Sequence, residues 1–320
     1  TGQVLPWLQH QAGEWHQGRF PLWDPNHWAG QPLPGQAQPG AMYPPNWILF
    51  SLPLRGGWLK QAWLHGYFVL IHIAAALFAF LLARRLGASR PGAVLGGLVF
   101  TLSGYMGQLD WPQMLNSALW APLTALFLVR WTTSWRWQDA VWAGFFHGVS
   151  WLGGHHQTPI YVSCACLLVS VWAIWRRWGD GRVILGVAMF WALAVMAGAA
   201  QILPAVEYGR EALRWVGGPE PVGWKDQVPY TVHINWSMAP AGLLGLILPH
   251  AHTHASPFLG FTALSLALLG AVWNWRLAAV RGLTLLFMLG LLLAMAHFTP
   301  LHGWFYALLP MVDKARNAST

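Results

Sequence analysis

The acids are the natural starting point, because a chain this apolar carries only ten of them in 320 residues. Three stand where chemistry could use them: Asp24 in PLWDPNHWAG, Asp110 in SGYMGQLDWPQM and Glu207 in QILPAVEYGRE. A carboxylate beside an apolar helix is costly to bury unless it is paired or used, and each is a candidate general base. Glu207 and Arg210 are three apart, a spacing that lets them pair on one helical face. Around Asp24, the stretch from Pro21 to Pro45 sets aromatic rings among amides: Trp23, Asn26, Trp28, Gln31, Gln36 and Tyr43. Such a mixture suits a sugar or other polyol, which offers apolar C–H faces and a hydroxyl rim.

Histidines supply the remaining candidates. In WLGGHHQTP the adjacent His155 and His156 cannot face the same way on one helix, which argues against a metal pair made by these two alone and favours a hydrogen-bonding role with Gln157. In HAHTH, an extended backbone would turn His250, His252 and His254 to one side and offer three imidazoles to a metal. No carboxylate adjoins them, which argues against that use.

These groups must be held by membrane helices. The composition is 56% hydrophobic and 9% charged, with a mean hydropathy of +0.41, whereas about a quarter of the residues in soluble domains are charged. The class is an all-α polytopic membrane protein. Residues 1–61 read as loop, with VLPWLQHQAGEW as a short amphipathic interfacial helix. Apolar spans follow at 62–83, 91–108, 116–131, 138–153, 158–175, 183–203, 258–274 and 282–298, eight in all, several of them short against the roughly 20 residues a bilayer needs. Residues 62–203 hold the first six, 204–257 form a second long loop, 258–298 hold the last two, and 299–320 form a terminal segment. AGLLGLILP (241–249) is too short to cross and reads as re-entrant or interfacial. Seven prolines between Pro21 and Pro45 exclude a helix interior there. Cys164 and Cys166, two apart in an apolar run, support neither a disulfide framework nor a thiolate zinc site.

Charge orders the spans. Arg84, Arg85, Arg90, Arg130, Arg136, Arg176, Arg177, Arg182, Arg276 and Arg281 fall in short turns on one side with only Asp139 and Asp180. This is the positive-inside pattern of a cytoplasmic face. It accounts for much of the net +8 without nucleic acid as a partner. The long, acid-bearing, Trp-rich loops then lie on the extracytoplasmic side.

The ordered blocks PLWDPNHWAGQPL, QPGAMYPPN, GGHHQ, QILPAVEYGRE, SPFLGFTALSLALLG and FTPLHGWFYALLPMVDKARN resemble the bacterial YfhO-type membrane proteins, which group with the polytopic C-type (GT-C) glycosyltransferases. The resemblance covers almost the whole chain. It implies transfer of a sugar from a polyprenyl-phosphate carrier to an envelope polymer or glycolipid acceptor, at the outer face of a bacterial cytoplasmic membrane. In that family an acid of the first outer loop acts as base or as metal-linked activator, so a divalent metal is compatible with the resemblance. The family acid precedes a GQ...P stretch that here begins at Gly2, so the chain reads as an internal fragment with a further helix upstream. Two positions depart from the family pattern: Asp24 stands where PLWNP has Asn, and His156 where Pro is usual, so the resemblance carries substrate binding over to His155 and Gln157. Asp110 and Glu207 are the expected in-chain bases, with Arg210 on the phosphate. A lipid-linked-sugar flippase or transporter, or a non-catalytic envelope-assembly protein, is the alternative class; the lack of an internal repeat weighs against a transporter.

Overall fold

A computed structural model describes residues 2–27, 29–107, 111–213, 221–249, 251 and 256–308. The protein is all-α, about 71% helical, with one two-stranded antiparallel hairpin among the described residues. It divides into two compact units, formed by the described residues of Thr1–Thr101 with Leu109–Glu211 and of Leu102–Gln108 with Ala212–Thr320.

The first unit opens with α1 (Val4–His16), then β1 (Trp23–Asp24), β2 (Gln31–Pro32), α2 (Leu33–Gln36) and α3 (Pro44–Phe50). Prolines at the first turns of α2 and α3 start helices that the same residues would break in the interior. The long helices follow: α4 (Gln61–Arg85) and α5 (Arg90–Leu102). After α6 (Gly104–Gly107), which belongs to the second unit, come α7 (Pro112–Ala118), α8 (Ala121–Ser134), α9 (Trp137–Leu152), α10 (Gln157–Arg176) and α11 (Gly181–Glu211). The stretch expected as one span at 116–131 is thus two helices, α7 and α8, with Pro122 in the first turn of α8. In α11 the helix runs past the expected boundary at 203, because Pro204 forgoes one backbone hydrogen bond without ending it.

Each of the eight apolar stretches contains helix, and three helices, α4, α10 and α11, are long and apolar enough to cross a membrane. The bundle is drawn together by small residues, as expected where lipid supplies no hydrophobic drive between helices. A Cβ on Gly144 of α9 would lie 2.2 Å from the Phe190 carbonyl oxygen of α11, and one on Gly148 would lie 2.7 Å from that of Ala194. Gly97 of α5 meets the Ala76 carbonyl of α4 in the same way, at 2.7 Å. Leu128, Trp131, Ala143, Cys166, Val183 and Phe190 fill the core between α8, α9, α10 and α11.

The arginine-bearing ends of these helices meet. Arg85 donates to Thr133 Oγ1 at 2.5 Å, Arg130 pairs with Asp139 at 3.0 Å, and the Arg177 guanidinium lies 4.8 Å from the Trp135 ring. The opposite ends carry the loop 33–46.

The second unit contains α6, α12 (Tyr230–His233), a 3-10 helix (Pro240–Leu246), α13 (Phe261–Trp273), α14 (Ala278–Ala294), a further 3-10 turn (Ala296–Phe298) and α15 (Pro300–Leu308). The 3-10 helix falls on the segment too short to cross, and its Leu246 carbonyl accepts from the amides of Leu259 and Gly260. Tyr306 donates to the Val228 carbonyl at 2.7 Å and stacks edgewise on Tyr230. α13 and α14 are shorter apolar helices that bury no residue.

Candidate functional site

The loop from Leu33 to Asn46 is tied to the bundle by side-chain amides and hydroxyls. Gln11 of α1 donates to the Pro39 carbonyl at 3.0 Å, Asn46 of α3 to that of Gly40 at 2.9 Å, and Gln201 of α11 to that of Pro34. Tyr67 of α4 donates to Asn46 Oδ1 at 2.6 Å. The connection between α9 and α10 closes on the loop through its glycines, since a Cβ on Gly154 would lie 2.9 Å from the Gln38 carbonyl oxygen. Gly35 leaves equally little room against Tyr208, whose Cβ would be 2.7 Å away. Buried amides that satisfy loop carbonyls hold irregular backbone in one conformation.

On this base stands an open cleft of about 370 Å³. One wall is α1 with the residue that caps its C-terminus, where Pro6, Gln9, His10, Gly13, Glu14 and Gln17 recur at helical spacing toward the cleft while Trp7, Leu8, Gln11 and Ala12 are buried. The second wall is the β1 strand and its turn, with Asp24, Asn26 and His27. The third is Trp58, on a turn that Gln9 clamps by donating to the Gly57 carbonyl and accepting from the Leu59 amide, both at 2.7 Å. The Trp58 indole is 68% exposed, which leaves a face open to the cleft side.

Asp24 is the most enclosed acid here, at 1% exposure. Its Oδ1 accepts from the Asn26 amide at 2.9 Å and its Oδ2 from His27 Nδ1 at 2.6 Å. His10 Nε2 donates to the Trp23 carbonyl at 2.8 Å and pins β1 to α1. Two hydrogen bonds from Arg19, at 2.7 Å each, hold the Glu14 carboxyl below the usual carboxylate range.

The candidates read from sequence are distributed unevenly. Asp24 and Asn26 line the cleft. Trp23 is exposed, with its ring laid over Gly30, and Gln31 pairs with Asp24 across the hairpin. Gln36 is partly buried and lies away from the cleft lining. Tyr43 does not present a contact face. It is fully buried against Val149, Leu152 and Trp120, its hydroxyl accepts from Trp120 Nε1 at 2.9 Å, and burial pushes its phenol pKa upward. His155 and Gln157 serve the α9–α10 connection: the His155 amide donates to Ser117 Oγ, and Gln157 donates to the Tyr161 hydroxyl. Glu207 and Arg210 are both exposed on the last turns of α11 and form no ion pair with each other, so their spacing is permissive only. Asp110, Trp28, His250, His252 and His254 lie outside the described residues.

Sequence reasoning missed His27, His10, Gln17 and Trp58. The signal for His27 was present as D-P-N-H, an acid three residues before an imidazole in turn-forming sequence. Among the described residues no group of three His, Cys, Asp or Glu side chains is placed to hold a metal ion. No protein-family model, curated protein or solved structure matches the chain.

Proposed function

We propose that the chain is a membrane-embedded glycosyltransferase that moves a sugar from a polyprenyl-phosphate carrier to an envelope polymer or glycolipid. The observation that carries this reading is the convergence of sequence blocks far apart in the chain. QPGAMYPPN, GGHHQ and QILPAVEYGRE, three of the blocks behind the YfhO resemblance, meet around the loop 33–46 through Gly154, Gln201 and Tyr208. PLWDPNHWAGQPL leads directly into that loop and supplies one wall of the cleft.

The chemistry of the cleft fits a polyol. Asn26, His27 and Gln17 bring hydrogen-bonding groups, and Trp58 brings an exposed ring for a sugar's C–H face. On this reading all eight apolar stretches lie in the bilayer and give the carrier's lipid tail an apolar path. The arginine ends face the cytoplasm, by the positive-inside rule, and the cleft opens outside. Arg210, exposed at the loop end of α11, is the cation for the departing phosphate.

The test is the chain in proteoliposomes, supplied with a panel of radiolabelled polyprenyl-phosphate hexoses and pentoses and a bacterial envelope extract. Label passing into the extract with release of polyprenyl phosphate is the expected result. Label that crosses the bilayer still on its carrier would instead identify a flippase, and label that stays put with every donor would defeat the enzyme reading.

A further inference from the structure

We propose that His27 is the group that takes the proton from the acceptor hydroxyl in this cleft, and that Asp24 is its positioning residue; the assignment rests on the glycosyltransferase reading. Asp24 has the position of a base and lacks the access. Both its oxygens are engaged within the hairpin, one by the Asn26 amide at 2.9 Å and the other by His27 Nδ1 at 2.6 Å, and the residue is 1% exposed. The His27 side chain is 34% exposed and lines the cleft.

The geometry fixes the role of each ring nitrogen. With Nδ1–H donated to the carboxylate, Nε2 is the nitrogen that keeps a lone pair, and it has no partner among the described residues. A carboxylate behind an imidazole holds its orientation and tautomer and favours the imidazolium that forms on proton uptake. The other titratable groups lining the cleft are engaged elsewhere, His10 on the Trp23 carbonyl and Glu14 on Arg19. Among the described residues lining the cleft, His27 is thus the imidazole that is oriented by an acid.

The step balances without a redox partner. The acceptor O–H bond breaks and its proton passes to His27 Nε2. The acceptor oxygen bonds to the anomeric carbon, and the bond from that carbon to the phosphate oxygen breaks. Its electron pair leaves with the polyprenyl phosphate.

The experiment uses the full chain in proteoliposomes with the radiolabelled polyprenyl-phosphate sugar that wild type uses best. His27→Gln is expected to lower kcat by about 10²–10⁴-fold with donor KM within twofold. Added imidazole should restore turnover to His27→Ala, and the acid limb of the wild-type pH–rate profile should vanish in His27→Gln. Asp24→Asn should lower kcat, and the double variant should be no slower than His27→Gln alone, because the two act as a unit. Transfer by His27→Gln within threefold of wild type would overturn the assignment and leave the enzyme reading intact. Absence of transfer by wild type with every donor would overturn both.

Discussion

Trp120 Nε1 donates to the Tyr43 hydroxyl over 2.9 Å, joining two side chains 77 residues apart in the chain. That bond seats the proline-rich loop on α8 and α9, with Val149 and Leu152 closing around the phenol. Tyr43→Phe leaves the Trp120 N–H without its acceptor, a loss of about 1–3 kcal/mol when the orphaned group is buried. The variant should melt lower in detergent and keep its donor KM. A raised KM with unchanged melting would return Tyr43 to the binding surface.

The approach of α9 to α11 gives a second, sharper expectation. Overpacking usually costs about 1–3 kcal/mol, and at Gly144 the obstacle is the Phe190 carbonyl, which is backbone and cannot rotate away. Gly144→Ala should therefore lower the melting temperature strongly. Gly66→Ala on α4, where a Cβ meets nothing within 4 Å, should leave melting unchanged or raise it through helix propensity. Equal melting of the two variants would mean that the glycine contact does not organise the bundle.

The pH dependence has its own signature at the α9–α10 connection. His156 Nε2 is buried without a hydrogen-bond partner among the described residues, and burial pushes its pKa from 6.5 down to about 4. Between those values the unfolded chain binds a proton that the folded chain refuses, so stability falls as pH drops from 6.5 to about 4. Glu14, whose pKa is lowered by Arg19, contributes stability present above 4.5 and lost as pH falls through its lower folded value. Melting followed from pH 7.5 to 4 should show the decline, and His156→Gln should flatten it. An unchanged slope in that variant would assign the decline to another group.

Much of the helical layout is legible in the sequence, because apolar runs of helical length are set off by arginine-bearing turns, and each of those runs contains helix. Proline spacing likewise marks the loop as non-helical, and the polar spacing from Gln9 to Gln17 marks α1 as two-faced. Which aromatic of the loop faces outward is not legible: Tyr43 is buried by Trp120, Val149 and Leu152, whose proximity only the tertiary fold creates. The same limit applies to pairing. Spacing made Glu207 and Arg210 plausible partners, yet Arg130 finds Asp139 across the turn between α8 and α9, and Asp24 finds His27 through a local turn. The polar face of α1 reads as a water-facing surface until the β1 turn and Trp58 stand opposite it.

The cleft as the place where the sugar is held is tested most directly by a polyprenyl-phosphate sugar carrying a diazirine on the sugar ring, irradiated on the full chain in proteoliposomes. Peptide mapping by mass spectrometry should place the label on α1 between Gln9 and Gln17, on the Asp24–His27 turn and on Trp58, with labelling suppressed by excess unmodified donor. Competable label confined to residues outside the cleft, with Gln9–Gln17, Asp24–His27 and Trp58 unmarked, would contradict the account.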